Sequence, residues 1–210
     1  MPLVQVTAPA EEPLNATEVK SRLSIGSEVS DDVIEAFITA ARQTLDGRDG
    51  RLQRCLMQQS WKLTIDSRFP CEPIKIPLPP LISIDSVRYV DPNGAWQTVA
   101  EENYRTVEGY RAEVVPVHGV SWPSTRCQLG AVEIEFTAGY GTDPADVPEP
   151  IRQAITLMVS NLRSLSARNL FLSQDTVDGV GSKYYVVGGN AAAAIDATVD
   201  ALLGPYRVYA

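Results

Sequence analysis

The residue types that could do chemistry in this 210-residue sequence are few: one histidine, three cysteines, two glutamates in one strand pattern, and a glycine-rich run ending in lysine. His118 stands in a loop-like stretch, His118-Gly119-Val120-Ser121-Trp122-Pro123. A single histidine leaves no two-histidine zinc site and only one centre for a Ser-His-Asp arrangement. Ser121 is near in sequence, but nothing around it resembles the strand–turn–helix setting of a nucleophile elbow. A loop histidine without catalytic duty is the simpler reading. Glu133 and Glu135 project from one side of Val132-Glu133-Ile134-Glu135-Phe136-Thr137, which could suit acid–base work. Solvated charges on the outer face of an antiparallel sheet give the same pattern. Gly179-Val180-Gly181-Ser182-Lys183 resembles a phosphate loop only superficially, because four free positions should precede a Gly-Lys pair and a strand should lead in. Cys55, Cys71 and Cys127 are odd in number, far apart and without metal-ligand spacing, so buried or idle thiols are expected. No catalytic residue, cofactor or metal site is assigned.

These residues must be positioned by a fold, and the joint of that fold is the stretch from Ala131 to Leu165. Val132, Ile134 and Phe136 alternate as one face of a strand. The strand breaks at Ala138-Gly139-Tyr140-Gly141, where glycine can take backbone angles closed to other residues. After Thr142-Asp143-Pro144-Ala145-Asp146, the run Val147-Pro148-Glu149-Pro150-Ile151-Arg152-Gln153-Ala154 reads as a helix start, with Asp146 or Glu149 available to cap it. Ile151, Ala154, Ile155, Met158, Leu162 and Leu165 recur at helical spacing as its apolar stripe.

Before this joint, residues 1–13 read as a flexible arm. Asn15-Ala16-Thr17-Glu18 has capping-box spacing, with Leu14 able to staple onto Val19, and this helix is expected to end near Gly26. Ser30 opens a second helix with Ile34, Phe37, Ile38, Ala41 and Leu45 on one side, closed near Asp46-Gly47-Arg48-Asp49-Gly50. From about Gln59 the period falls to two, with Trp61, Leu63 and Ile65, then Ile74, Ile76 and Leu78, facing one way. Strands follow at Ile82–Val90, Trp96–Val99, Tyr104–Val107 and Ala112–Val115, with Asp91-Pro92-Asn93-Gly94 as a turn. Past Leu165 the segment through Gly188-Gly189-Asn190 reads as a mobile loop or extra hairpin. A last helix, Ala191–Leu203, stops at Gly204-Pro205.

The chain order gives an α+β protein: a small helical bundle with an antiparallel β-meander inserted between the N-terminal and C-terminal helices. The expected divisions are the arm at 1–13, helices at 14–58, the β region at 59–141, and helices, glycine-rich loop and tail at 142–210. Hydrophobic residues at 44% and charged residues at 21% suit a globular chain able to bury a core. No apolar run approaches the roughly 18 residues needed to span a bilayer. The start lacks a basic-then-apolar leader pattern, so a cytoplasmic site of synthesis is expected. The net charge of −8 is uneven, with nine acidic and four basic residues in 1–50, ten and nine in 51–141, and seven and five in 142–210. No basic stripe is visible, which argues against gripping DNA, while an acidic surface could let DNA slide past.

Four stretches together resemble the head–tail connector (adaptor) proteins of long-tailed bacteriophages. They are the helix around Glu18-Val19-Lys20, the segment from Pro79-Pro80-Leu81 to Tyr89-Val90-Asp91, the Ala138-Gly139-Tyr140-Gly141 break with Val147-Pro148-Glu149-Pro150-Ile151-Arg152-Gln153-Ala154, and Leu202-Leu203-Gly204-Pro205-Tyr206-Arg207. The resemblance covers roughly Leu14 to Val208, and Phe171 to Ala194 departs from it. It implies a structural protein of the virion neck, made in the host bacterial cytoplasm and forming a dodecameric ring with copies of itself beneath the portal protein. That ring extends the DNA channel without specific DNA binding and offers a platform to a stopper or tail-completion protein, with no membrane involved. It also implies that the C-terminal region docks into the portal, placing Leu202, Leu203, Pro205, Tyr206, Arg207 and Tyr209 at that interface. Tyrosine and arginine are the residue types that dominate interface hot spots. Another neck protein, a stopper or tail-completion factor, and a hydrolase centred on His118 are the alternative readings.

Overall fold

The structure is a computed structural model that describes residues 2–109, 111–167, 174–177, 181–184 and 189–208. It divides into two compact units, one drawn from residues 1–11 and 45–147, the other from residues 12–44 and 148–209. The sequence places the borders of the β region at 59 and 141, whereas the compact units change at 45 and 147. The α+β class holds.

The first unit is built on a five-stranded antiparallel sheet of β1 (Leu3–Thr7), β2 (Gln59–Ile65), β4 (Leu81–Val90), β5 (Trp96–Thr98) and β8 (Val132–Ala138). A second sheet holds β3 (Ile74–Lys75), β6 (Tyr104–Val107) and β7 (Glu113–Pro116). The strands do not follow chain order: the larger sheet runs β1-β2-β8-β4-β5, so β8 lies between strands that precede it by some 40 residues or more in the chain. Alternation decides which way each strand faces. Trp61, Leu63 and Ile65 from β2 and Val132, Ile134 and Phe136 from β8 turn inward, where they join Ile74, Val114 and Tyr104 of the smaller sheet in one apolar core.

Leu3–Thr7 corrects the expectation of a flexible arm. Leu3 pairs with Leu63 and Val4 with Lys62, and Leu3 is buried, so an edge strand forms where local sequence suggested none. Its partner lies about 60 residues away, which no local pattern records. The Ile74–Leu78 pattern yields only a two-residue strand, although Ile76 and Leu78 are also buried. Pro77 cannot donate to a ladder and ends it.

The second unit holds α1 (Ala16–Leu23), α2 (Asp31–Leu45, whose last residue falls in the first unit), α3 (Glu149–Ala167) and α4 (Gly189–Leu203). Asn15 caps α1 by accepting the Glu18 amide at 2.8 Å, and Leu14 and Val19 are both buried, as the staple requires. The helix ends at Leu23, three residues before the expected glycine, because Ser24 itself takes the left-handed conformation at φ 51°. α3 packs on α1 and α4.

Its buried residues are Ile151, Ala154, Ile155, Thr156 and Val159; Met158 and Leu162 are half-buried, and Leu165 is 44% exposed. The expected stripe therefore holds for two turns and then turns outward. The cap also differs: Asp146 closes a 3-10 turn over Pro144–Asp146 in a reciprocal arrangement with Asp143, and the Ile151 and Arg152 amides donate to the Pro148 carbonyl. Within 171–194, β9 (Gln174–Val177) and β10 (Gly181–Tyr184) pair antiparallel, and residues 171–173, 178–180 and 185–188 lie outside the described residues.

Candidate functional site

Ala138-Gly139-Tyr140-Gly141 is a place where three backbone segments meet. The Gly139 amide donates to the Pro80 carbonyl at 2.9 Å, and Leu81 pairs with Ala138. On the other side the Tyr140 amide donates to Leu56 at 3.2 Å, and the Gln58 amide to Gly141 at 2.9 Å. Gly139 has φ +137°, and a Cβ there would lie 2.4 Å from the Met57 carbonyl oxygen. Only glycine fits such an approach. Arg54 seals the site, donating to the Tyr140 hydroxyl at 2.8 Å with its guanidinium carbon 5.6 Å from the ring centroid. Two stretches that resemble the connector family separately, Pro79-Pro80-Leu81 and Ala138-Gly139-Tyr140-Gly141, are thus one structural feature.

Beside it, buried Asp46 and Gln59 begin a polar chain that runs out to exposed Gln5. Asp46 accepts from the Leu56 amide at 2.9 Å and from Gln59 Nε2 at 3.0 Å, while Gln59 Oε1 accepts from Gln5 at 2.6 Å. Burial, reinforced by the Asp46 charge, pushes the Cys55 thiol far above its usual range, so it is an unreactive core residue.

In the second unit a similar convergence joins the Glu18 stretch to the start of α3. Glu18 accepts from Arg22 at 2.7 Å and from Arg152 at 2.6 Å. Glu149 accepts from Arg152 at 3.1 Å and pairs with Arg22, closing a ring of four alternating charges. The Glu149 carboxyl is held below the usual glutamate range, chiefly by the hydrogen bond from Arg22, and the Arg22 guanidinium is raised by the same bond. Glu18–Arg22 and Glu149–Arg152 have helix-neighbour spacing and could have been read locally. The pairing between the two helices could not.

The residues weighed for chemistry lie apart. His118 and Ser121 are both exposed in the loop after β7. Glu133 and Glu135 are half-buried on the outer face of β8, where Glu133 pairs with Lys62 at 3.2 Å. Gly181, Ser182 and Lys183 belong to strand β10, while Gly179 and Val180 lie outside the described residues. Cys71 and Cys127 are exposed. Among the described residues no group of three or more His, Cys, Asp or Glu could hold a metal ion, and no helix is long and apolar enough to cross a membrane. A groove of about 410 Å³ on the smaller sheet is lined by Lys75, Val107, Glu108, Gly109, Arg111 and Glu113. Its two cations and two carboxylates balance, so it favours neither sign of ligand.

In the tail, a 3-10 turn at Gly204–Tyr206 follows α4. Leu203 and Val208 are buried, Leu202, Tyr206 and Arg207 are half-buried, and Pro205 is exposed. Arg207 donates to Asp200 at 2.7 Å. Tyr209, expected at the same interface, lies outside the described residues.

No protein-family model matches this chain, and no curated protein does. Solved structures do. The whole chain matches 97% of a chain in the neck of an empty gene transfer agent (GTA) particle computed with C6 symmetry, at 23% identity and TM-score 0.69. It matches chains in the virion of a native GTA particle at 22% identity and TM-score 0.66, and in the neck of a native GTA particle computed with C12 symmetry at 22% and 0.61, again over 100% of this chain and 97% of the other. The fold is shared from end to end.

Proposed function

We propose that this chain is a structural, non-enzymatic neck protein of a phage-like particle, a head–tail connector (adaptor) that forms a ring under the portal. The observation that carries the reading is the likeness in fold, over the full length of both chains, to proteins in GTA necks. The stretches with connector resemblance also meet in space, at Gly139 with Pro80 and at Glu18 with Arg152, so they mark the parts that fix this fold. In this role the ring is dodecameric, its channel passes DNA without binding it, and its far side receives a stopper or tail-completion protein. A net charge of −8 suits a channel that repels rather than grips a polyanion.

The portal contact is assigned to the tail. Pro205, Tyr206 and Arg207 supply surface and Leu202 is half-buried beside them, while Leu203, expected at the same interface, is buried. Tyr209 is counted in the same proposed contact on its residue type alone. The test is the mass of the protein alone and after mixing with its portal. A complex with one connector chain per portal chain supports the reading, and two unchanged masses overturn it. A chain that ignores the portal yet joins particles already carrying their connector is a stopper or tail-completion factor instead.

A further inference from the structure

Among the described residues the five-stranded sheet ends in two strands with no further strand beside them, β1 and β5. The Thr64 amide donates to the Pro2 carbonyl at 3.0 Å, which makes Pro2 and Thr64 a hydrogen-bonded pair and, by alternation, Val4 and Lys62 the next. Leu3 and Gln5 therefore turn their N–H and C=O groups away from β2, toward the open edge. Arg48 marks that direction, because its Nη1 reaches the Leu3 carbonyl at 3.4 Å. At the other end, Val99 donates to Val87 at 2.8 Å and Asp91 to Ala95 at 2.9 Å. These bonds fix Tyr89 and Gln97 as the bonded pair between them, leaving the N–H and C=O of Trp96 and Thr98 facing outward.

Both edges thus present backbone groups at the same two-residue spacing. Sheet edges are normally blunted by charges or proline within the strand, yet Leu3-Val4-Gln5-Val6-Thr7 and Trp96-Gln97-Thr98 contain neither. Each instead carries exposed apolar side chains, with Val4 53%, Val6 55% and Trp96 44% exposed. Val4 and Trp96 share one sheet face, traced through Lys62, Glu135, Ser86, Arg88 and Thr98, and the Arg88 guanidinium lies 5.1 Å from the Trp96 ring centroid. In a chain of net charge −8, two edge strands without acidic residues are also where copies approach with little repulsion.

We infer that a second copy of this chain occupies the edge: β1 of one copy lies beside β5 of the next, so that the sheet continues from subunit to subunit. β1 and β5 run the same way in the sheet, so copies in like orientation pair them in parallel. Gln5 then donates its N–H to the Trp96 carbonyl and accepts from the Thr98 amide, setting Val4 opposite Trp96. The two surfaces differ, so the contact is head-to-tail and closes into a ring when the rotation allows. This deepens the ring part of the proposed function and rests on it for the choice of a like copy as occupant.

The test is a cross-link. Opposed residues on adjacent strands lie about 4.8 Å apart, inside the roughly 4.4–6.8 Å span a disulfide bridges. In a background of Cys71→Ser and Cys127→Ser, the Val4→Cys, Trp96→Cys double variant is oxidised with copper phenanthroline and run on a non-reducing gel. Each disulfide forms from two thiols that lose two protons and two electrons to the oxidant. A ladder of multimers from the double variant, with monomer from either single variant, is expected. Absence of the ladder at any concentration, or an equal yield of dimer from Val4→Cys alone, overturns the inference. Circular dichroism melting of the same variants checks the fold, and Val4→Lys with Trp96→Lys should shift sedimentation toward monomer. A portal complex without the ladder leaves the neck reading standing and removes this edge; a ladder without portal binding does the reverse.

Discussion

The knot at Gly139 and the charge ring at Glu18 both join stretches far apart in sequence, yet they hold by different physics. At Gly139 the backbone of Met57 passes so close that a single added carbon has no room, and the hydrogen bonds that hold the segments together are main-chain ones except for Arg54 to Tyr140. At Glu18, Arg22, Glu149 and Arg152 the partners are long side chains, with Glu149 58% exposed. Shape that depends on a missing side chain is lost all at once when the space is filled. An ion network that opens to solvent at Glu149 is screened there by water and salt and gives way by small steps.

Substitutions should separate the two. Gly139→Val adds a branched side chain at φ +137° against the Met57 carbonyl and should cost roughly 4 kcal/mol from backbone strain and overlap together. A chemical denaturation curve checks this, and a loss under about 1 kcal/mol would mean that the Met57 segment moves aside freely. Ile155→Ala, at a fully buried position of α3, should cost about 3 kcal/mol. Leu165→Ala, on the exposed end of the same helix, should change stability by about 0.5 kcal/mol or less. Equal effects from the pair would contradict the outward turn of the stripe after Val159.

The charge ring should answer to pH rather than to volume. Because Glu149 is depressed in the folded chain, its contribution is fully present above the ordinary value of 4.5 and is lost as pH falls through the lower folded value. Melting temperatures of the native chain and Glu149→Gln should therefore differ slightly at neutral pH and converge in acid, with the gap shrinking further in salt. A gap that widens in acid would reverse the sign argued here. The smallest effect belongs to Glu135→Gln on the outer face of β8, expected within about 0.5 kcal/mol of the native chain.

The same contrast explains what the sequence made legible. Alternation gave the inward faces of β2 and β8, and helical spacing gave Ile151 to Ile155, because both follow from covalent geometry. Capping at Asn15 was local and readable. The flanking glycines of Ala138-Gly139-Tyr140-Gly141 signalled unusual backbone angles, but the Met57 carbonyl that demands Gly139 lies some 80 residues earlier. The pairing of Leu3–Thr7 with β2 and the place of β8 between β2 and β4 are likewise contacts across long separations. Leu165 reads as core from its type, whereas its exposure depends on what covers the end of α3. In the tail, residue types suggested a docking surface, but the burial of Leu203 and Val208 beside exposed Pro205 depends on packing that residue type does not record.

The most direct test of the proposed neck role is co-sedimentation with filled, tailless heads of a phage-like particle from the same source, followed by electron cryo-microscopy of the pelleted heads. The account predicts that the chain pellets with the heads and adds a ring of density, in register with the portal, at that single vertex. Removing Gly204–Ala210 should abolish that addition while a cooperative melting transition remains. Protein left in the supernatant, or spread over the capsid without a ring at the portal vertex, would contradict the account.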